Sequence, residues 1–424
     1  MHEAVDRGRL RADIERTGEF GAVDAEEGRG RTVRTGSAAN RAAREYLVER
    51  LEDAGLSVRI DAVGNVVGRW TPPGADPDAA PVASGSHLDS VPGGGIFDGP
   101  LGVYAALEAV RAMRDAGAAP ERPVEVVSFT EEEGATFADG VLGSSVAAGA
   151  RSVEAALALE DDDGRTLEAA LDAVGFRGEG RVDAGAWDAW LELHVEQHTE
   201  LESAGVPVGA VTDITGITHC EATVEGEANH AGATPMADRT DALAAASEFA
   251  LAVEARAVAE GPPAVGTVGS LSVEPNAANV VPGRVETGVD VRSTEYAAMN
   301  RICGAARDEL DRLERQRGVT TAFERGFDLE PTPMADRCLG AVERAGERTG
   351  IETLRLHSGA FHDTAHVADV TDAGMLFAPS RAGVSHSPKE WTDWADCAAA
   401  TRVLAAALAD LAGADVGGEQ TREA

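Results

Sequence analysis

The sequence predicts an α/β protein: a central mixed sheet flanked by helices, with a smaller α+β domain inserted into it. Three observations predict this. Strand-like and helix-like patterns alternate through the N-terminal part of the chain, as crossover connections require. The character changes near residue 212 and changes back near 329. The length, 424 residues, exceeds what one ordinary core organises.

The elements follow in order. SAANRAAREYLVERLEDAG (37–55) reads as an amphipathic helix, because Ala43, Leu47 and Leu51 recur on one face and Gly55 stops it. LSVRIDAVGNVVGRW reads as two short strands about Gly64, and TPPGADPDAAP as a loop by its Pro, Gly and Asp content. PVASGSH is a buried strand ending at His87. The glycine-rich VPGGGIFDGPLG leads into the helix VYAALEAVRAMRDAG, and PVEVVSFT is a further strand with EEEG at its end. From 212 to 328, ITHCEATVEGEA, VGTVGSLSVEP and RVETGVDVRS read as strands, separated by helical patterns at 238–260 and 295–317. The α/β pattern then returns with a helix at 336–349, the strand AGMLFAP and a helix at 393–412. The expected division is therefore 1–211 with 329–414 as the main domain, 212–328 as the insert, and 415–424 as a disordered tail. No internal repeat or low-complexity tract is present.

Composition narrows the function classes. Asp and Glu number 73 against 37 Lys and Arg, a net charge of −36 that repels nucleic acid and anionic membranes. Lys389 is the single lysine. Two readings of the acidity compete: a surface for a basic partner, or an adaptation to a high-salt cytoplasm, where self-repulsion is screened over ~3 Å at 1 M. The acids are spread along the whole chain, which favours the halophilic reading. Cys220, Cys303, Cys338 and Cys397 lie far apart with no CxxC pair, so neither a disulfide frame nor a thiolate zinc site is indicated. The charged N-terminus has no apolar h-region, and no apolar run approaches the ~20 residues of a membrane span. A soluble, cytoplasmic protein is expected.

Histidine is scarce, at 10 residues, so its placement is informative. His87 ends a strand. Asp98 follows 11 residues on, in the glycine-rich loop. Glu131, Glu132 and Glu133 follow the next strand. His194 lies at the end of WLELH, and His386 follows AGMLFAP by a short loop. Ligands of open α/β sheets bind beyond the carboxyl ends of strands, so these positions converge on one edge. Each has a simpler explanation. A histidine at a strand end is often structural, and EEEG could be an acidic helix N-terminus. The loop 93–102 has neither a GK[ST] ending nor a GxGxxG pattern, so it is not a phosphate cradle. The coincidence of three histidines with two acidic sites, each just past a strand, points to a divalent zinc- or manganese-type centre.

GSHLDS, GGGIFDGPLGV, EEEGATF, ELHVEQ, GEANHAGATPMADRTDAL, EPNAANVVPG, DVRS, SGAFHD and GVSHSPKE stand in the order found in the metallopeptidase M20 superfamily. From about residue 10 to 410 the chain most resembles that superfamily's amidase branch, the hydantoinase/carbamoylase enzymes. The resemblance implies a catalytic domain with two divalent ions, Zn or Mn/Co, and an inserted dimerisation or lid domain. One ion would take His87, Asp98 and His194, and the other Asp98, Glu133 and His386, with Asp98 bridging. Asp89 would orient His87, and Glu132 would be the general base. His230 would stabilise the oxyanion, and in this family that histidine can come from the neighbouring subunit. Gln197, His230, Asn279, Arg292, Gly359 and His362 would contact substrate. Arg292 would clamp a carboxylate, although a surface salt bridge is the simpler fate of an arginine in so acidic a chain. The implied partners are a small carboxylate-bearing ureido substrate and a second copy of the chain, with no nucleic acid and no membrane.

The implied reaction is hydrolysis of the carbamoyl C–N bond of an N-carbamoyl-L-amino acid. Allantoate hydrolysis is the close alternative, and an M20 peptidase or N-acyl amino acid deacylase a more distant one. Two departures bear on the substrate rather than the chemistry. His198 and Thr199 stand where Gly-Pro usually follows the HxEQ motif, and Phe361 stands where glycine is common. If the acidity is an adaptation to salt, the melting temperature falls as salt is removed; a melting curve in dilute buffer that matches the one at molar salt contradicts it.

Overall fold

The computed structural model describes residues 2–138 and 140–414, so the tail expected over 415–424 lies outside the described residues. The chain divides into two compact units: residues up to Thr212 together with those from Met334 onward, and Asp213–Pro333.

The first unit is built on a mixed sheet flanked by helices. Its centre is the Val82–His87 strand, buried at every residue. Val124–Phe129 and Ala189–Val195 run parallel to it on either side, and Ala373–Ala378 continues the parallel run beyond Ala189–Val195. Strands covered on both faces need apolar or small residues at successive positions, which is why VASGSH and VEVVSF show no clean alternation. Antiparallel strands close the sheet: Val66–Trp70 and then Ser57–Ile60 on one side, Val208–Ile214 on the other.

Successive residues point to opposite faces. Val82, Val126, Leu191 and Leu193 join a core formed with the helices Pro100–Asp115, Asp336–Thr349 and Trp394–Leu411. Ala83, Val127, Phe129 and Trp190 face the other way, with Ala147 and Val367 from the helices Leu142–Ala147 and Asp363–Ala368. A chain with 4% aromatic residues must fill its core by close approach. Ala105, Ala109, Ala400, Ala405 and Ala407 are all fully buried, and the few large rings cluster, Trp187 stacking on Trp190 at 5.3 Å.

The helix expected at 37–55 spans Ala38–Asp53, capped by Ser37, whose side chain accepts from the Asn40 amide. Several elements escape sequence reading. The Arg7–Thr17 helix is mostly charged and buries only Leu10, Asp13, Ile14 and Thr17. Val208–Ile214 and Thr353–Ser358 are short strands whose pairing is set by distant segments.

The second unit is a four-stranded antiparallel sheet in the order Val265–Glu274, Arg284–Ser293, Gly216–Glu225, Thr320–Leu329. Helices Ala242–Glu260 and Tyr296–Arg317 share a core with it through Phe249, Val253, Ile302 and Leu310. The insert runs to Pro333, past the 328 read from sequence. Thr320–Leu329 pairs along its length with Gly216–Glu225, setting Leu329 opposite Ile217, and Thr332–Pro333 then pairs with Asp213–Ile214 at the start of the same unit. No helix among the described residues is long and apolar enough to cross a membrane.

Candidate metal centre

The parallel strands deliver their chemistry at one edge. His87 is the last residue of its strand, Glu131–Glu133 follow the strand ending at Phe129, and His194 is the penultimate residue of Ala189–Val195. The loop after Ala373–Ala378 brings back His386 in a left-handed conformation, φ 52°, which a non-glycine residue adopts only where its surroundings enforce it.

These residues form two triads, His87–Asp98–His194 and Asp98–Glu133–His386, with the potential ligand atoms of each within 4.8 Å of one another. The Asp98 carboxylate belongs to both. Its Oδ1 lies 3.1 Å from His194 Nε2 and 3.4 Å from His87 Nε2. Its Oδ2 lies 3.5 Å from His386 Nε2, which is itself 3.2 Å from Glu133 Oε2. The two sides differ in exposure: His87 and His194 are buried, while the His386 side chain is 51% exposed.

Both buried imidazoles have an assigned nitrogen left over. His194 Nδ1 sits 3.0 Å from the Val195 carbonyl, and His87 Nδ1 3.3 Å from the Asp89 carbonyl. Those carbonyls accept, so Nδ1 carries a proton and Nε2 is the nitrogen turned to the centre. Neither Nε2 has a hydrogen-bond partner. Buried polar atoms are normally satisfied, so a pair of orphan imidazole nitrogens beside a carboxylate suits a site where a cation displaces their protons. The charges agree. Burial pushes the Glu132 carboxyl well above the ordinary glutamate value; the His87 ring opposes this, while Asp363, Glu133 and Asp98 add to it. Burial, then the charge of Asp98, pushes Glu133 up to about 8. Burial would raise Asp98 as well, yet His194 and His87 hold it well below the usual carboxylate range. Crowded carboxylates of this kind ionise together only beside a compensating positive charge, and a His/Asp/Glu donor set without thiolate suits hard or borderline divalent ions.

The three glutamates, inseparable in sequence, separate by orientation. Glu131 Oε1 turns back to accept the Phe137 amide at 2.9 Å and closes its own loop. Glu132 Oε2 lies 3.5 Å from His87 Nε2, and Glu133 reaches His386. Asp89 does more than face His87, whose Nδ1 is 3.6 Å from its Oδ1. It also accepts the Glu132 and Glu133 amides, at 3.3 and 3.1 Å, and so ties the glutamate loop to the histidine strand.

Gln197 donates to Asp98 Oδ2 at 3.0 Å, and with Gly359 it lines a cavity of about 360 Å³ that also includes His198, Leu356 and His357. His362 is 1% exposed, with its ring 4.5 Å from that of His194 and its Nε2 on Ser358 Oγ at 3.1 Å; it packs against His194 and is not among the residues lining that cavity.

The remaining predicted residues lie in the second unit. The Asn229–His230 segment pairs with Val280–Val281, and the Asn279 carbonyl accepts the Ala231 amide at 2.9 Å, which brings His230 and Asn279 together. His230 Nδ1 accepts the Gly232 and Ala233 amides, both at 3.1 Å. Its proton therefore sits on Nε2, and the exposed ring presents an N–H donor. Arg292 binds Asp290 through Nε at 3.0 Å and Nη2 at 3.1 Å. Two residues near the centre, Ser385 and Glu390, stand within the GVSHSPKE motif, but the sequence assigned them no role; one hydroxyl and one more acid do not stand out in so acidic a chain.

Residues 83–410 match peptidase family M20/M25/M40. The chain is 40% identical over 390 residues to an N-carbamoyl-L-amino acid amidohydrolase of Geobacillus stearothermophilus, covering 91% of this chain and 94% of that protein. It is 36% identical to the allantoate amidohydrolase of Bacillus subtilis, over 84% of this chain and 87% of that one. Its fold superposes with a TM-score of 0.90 on a hydantoinase/carbamoylase family amidase from Burkholderia multivorans, 36% identical, covering 96% of this chain and 98% of the other.

Gly99 makes the centre sterically possible. Its φ is +81°, and a Cβ there would fall 2.6 Å from Nδ1 and Cε1 of His87. Gly99→Ala therefore combines left-handed strain with overpacking, each worth about 1–3 kcal/mol. It is expected to lower the melting temperature and to cut bound divalent metal, read by elemental analysis; wild-type metal content in the variant contradicts this.

Proposed function

The chain belongs to peptidase family M20/M25/M40, and from that premise we propose that it is a hydrolase of the carbamoyl C–N bond of N-carbamoyl-L-amino acids, working with two divalent ions. Enzymes of this family are metal-dependent. The observation that carries the reading is the Asp98 carboxylate, one oxygen facing His87 and His194 and the other facing His386. His87, Asp98 and His194 would hold one ion, and Asp98, Glu133 and His386 the other, as Zn or Mn/Co. Ions held there would supply the positive charge that acidifies a water and polarises the scissile carbonyl.

The chain's own residues do the rest. Glu132, next to the His87 side of the centre, accepts the water's proton and returns it to the leaving nitrogen; its raised pKa suits a group that must both take and give. His230, with its proton on Nε2, donates to the oxygen that gains charge as the carbonyl becomes tetrahedral. Gln197, Asn279 and Gly359 recognise the ureido group and its neighbours. Arg292 clamps the substrate carboxylate bidentately, with Asp290 holding the guanidinium in plane. Lid closure about the substrate excludes water from side reactions. Allantoate carries the same ureido and carboxylate groups, and the 36% identity to an allantoate amidohydrolase favours it as the second reading.

A second copy of the chain fits the insert. Val265–Glu274 is an edge strand of its sheet with no buried residue, and Val265, Leu271, Leu251 and Val258 are large exposed apolar side chains along that edge strand and the Ala242–Glu260 helix. An exposed apolar edge strand is a pairing surface, and a homodimer covers it.

Glu132→Gln should keep wild-type metal content while kcat falls by roughly 10²–10⁴-fold; retained turnover removes Glu132 from the role of base. Arg292→Ala should lower kcat/KM on N-carbamoyl amino acids by about 10–150-fold, the worth of charged hydrogen bonds, and leave N-carbamoyl amines without a carboxylate unaffected. Equal losses on both substrates would refute the clamp.

A further inference from the structure

We propose that Ser385 and Glu390 are positioning residues that set the Asp98 carboxylate astride the two halves of the centre; the inference rests on the two-ion reading above. Glu390 is 2% exposed, and its Oε1 accepts the backbone amides of Phe97 at 2.9 Å and of Asp98 itself at 3.0 Å. The glycine-rich loop is shaped around this carboxylate, since a Cβ on Gly95 would lie 2.2 Å from Oε1. Glu390 thus fixes the backbone of a residue 292 positions earlier in the chain.

Ser385 fixes the side chain of the same residue. Its hydroxyl donates to Asp98 Oδ2 at 2.7 Å and accepts from Gln197 Nε2 at 3.0 Å, and Gln197 Nε2 also meets Oδ2 at 3.0 Å. Oδ2 is the oxygen that faces His386, whereas Oδ1 faces His87 and His194. With Oδ2 held from one side, the carboxylate cannot rotate to give both oxygens to the buried histidines.

A staple that merely closed the loop would need only the backbone amides. Here Glu390, His386 and Ser385 sit within one six-residue segment, and it delivers a ligand, a hydroxyl on the bridging carboxylate and an anchor for the bridging backbone. Hydrogen bonds to ligating carboxylates typically carry 10–100-fold in metal affinity. Ser385 bears first on the His386–Glu133 half through Oδ2, and it meets Glu390 Oε2 only at the longer distance of 3.3 Å. Glu390 bears on both halves, because both use Asp98.

The test is stepwise uptake of Mn²⁺ and of Zn²⁺ by metal-stripped full-length protein, by equilibrium dialysis with elemental analysis, alongside melting of the stripped forms. For Ser385→Ala, the weaker step should loosen by roughly 10–100-fold with the tighter step unchanged. Glu390→Ala should loosen both steps, and Glu390→Gln, which keeps an acceptor oxygen for the two amides, should restore the tighter one. If Ser385→Ala and Glu390→Ala both take up two ions with wild-type affinities, whatever their melting temperatures, the residues are loop staples and the inference is overturned. A wild-type protein that takes up no divalent ion is a different outcome, and it sinks the two-ion reading itself.

Discussion

A single carboxylate organises the molecule. Asp98 stands between His87 and His194 on one side and His386 and Glu133 on the other, and those four residues come from three strand ends and a loop. Each of these side chains is placed by a different part of the chain, so the geometry exists only when the parallel sheet is in register. His87 and Phe129 are paired across adjacent strands, and His194 is paired with Phe377 on the far neighbour. The register that buries the core is thus the register that assembles the site, because a one-residue slip would turn the histidines to the opposite face.

The electrostatics work on two scales. Over the surface, a charge of −36 is spread thinly and solvated. At the centre, Asp98, Glu132 and Glu133 are crowded away from water: burial and the neighbouring acids push Glu132 and Glu133 up, while His194 and His87 hold Asp98 down. Arg31 lies beneath them, fully buried, and donates to the carbonyls of Gly95 and Asp89. It binds backbone rather than a carboxylate, so it braces the loop and leaves the charge of the acidic groups unpaired by its guanidinium.

The two units divide the work. The first carries both groups of potential ligands, and Glu132 beside them, at the rigid ends of a buried sheet, where small displacements are resisted by close packing. The second carries His230, Asn279 and Arg292 on an antiparallel sheet and its loops. There, local bonds decide what each group offers: two backbone amides make His230 a donor, and Asp290 makes Arg292 a flat, fixed fork. Loops and edges of this kind are where substrate range changes without disturbing the chemistry.

Much of this was legible in the chain because it is local. Strand periodicity placed PVASGSH and AGMLFAP, and residues just past a strand end must fall at the sheet's edge, so His87, His194 and His386 could be gathered without coordinates. The change of pattern read near 212 and 329 lies close to the ends of the second compact unit, Asp213–Pro333, whose last residues pair with its first. Orientation and long-range pairing were beyond the sequence. Three consecutive glutamates look alike as letters and differ only in where each side chain turns, with Glu131 bound back into its loop. His362 reads as a pocket residue and is in fact packed behind His194. Glu390 is one acid among 73, and it matters because folding sets its carboxylate on the amide of Asp98. Propensity and periodicity act between neighbours and so are written along the chain. The partner of a buried polar group is chosen by whatever else is buried beside it, and that is decided only when distant segments meet.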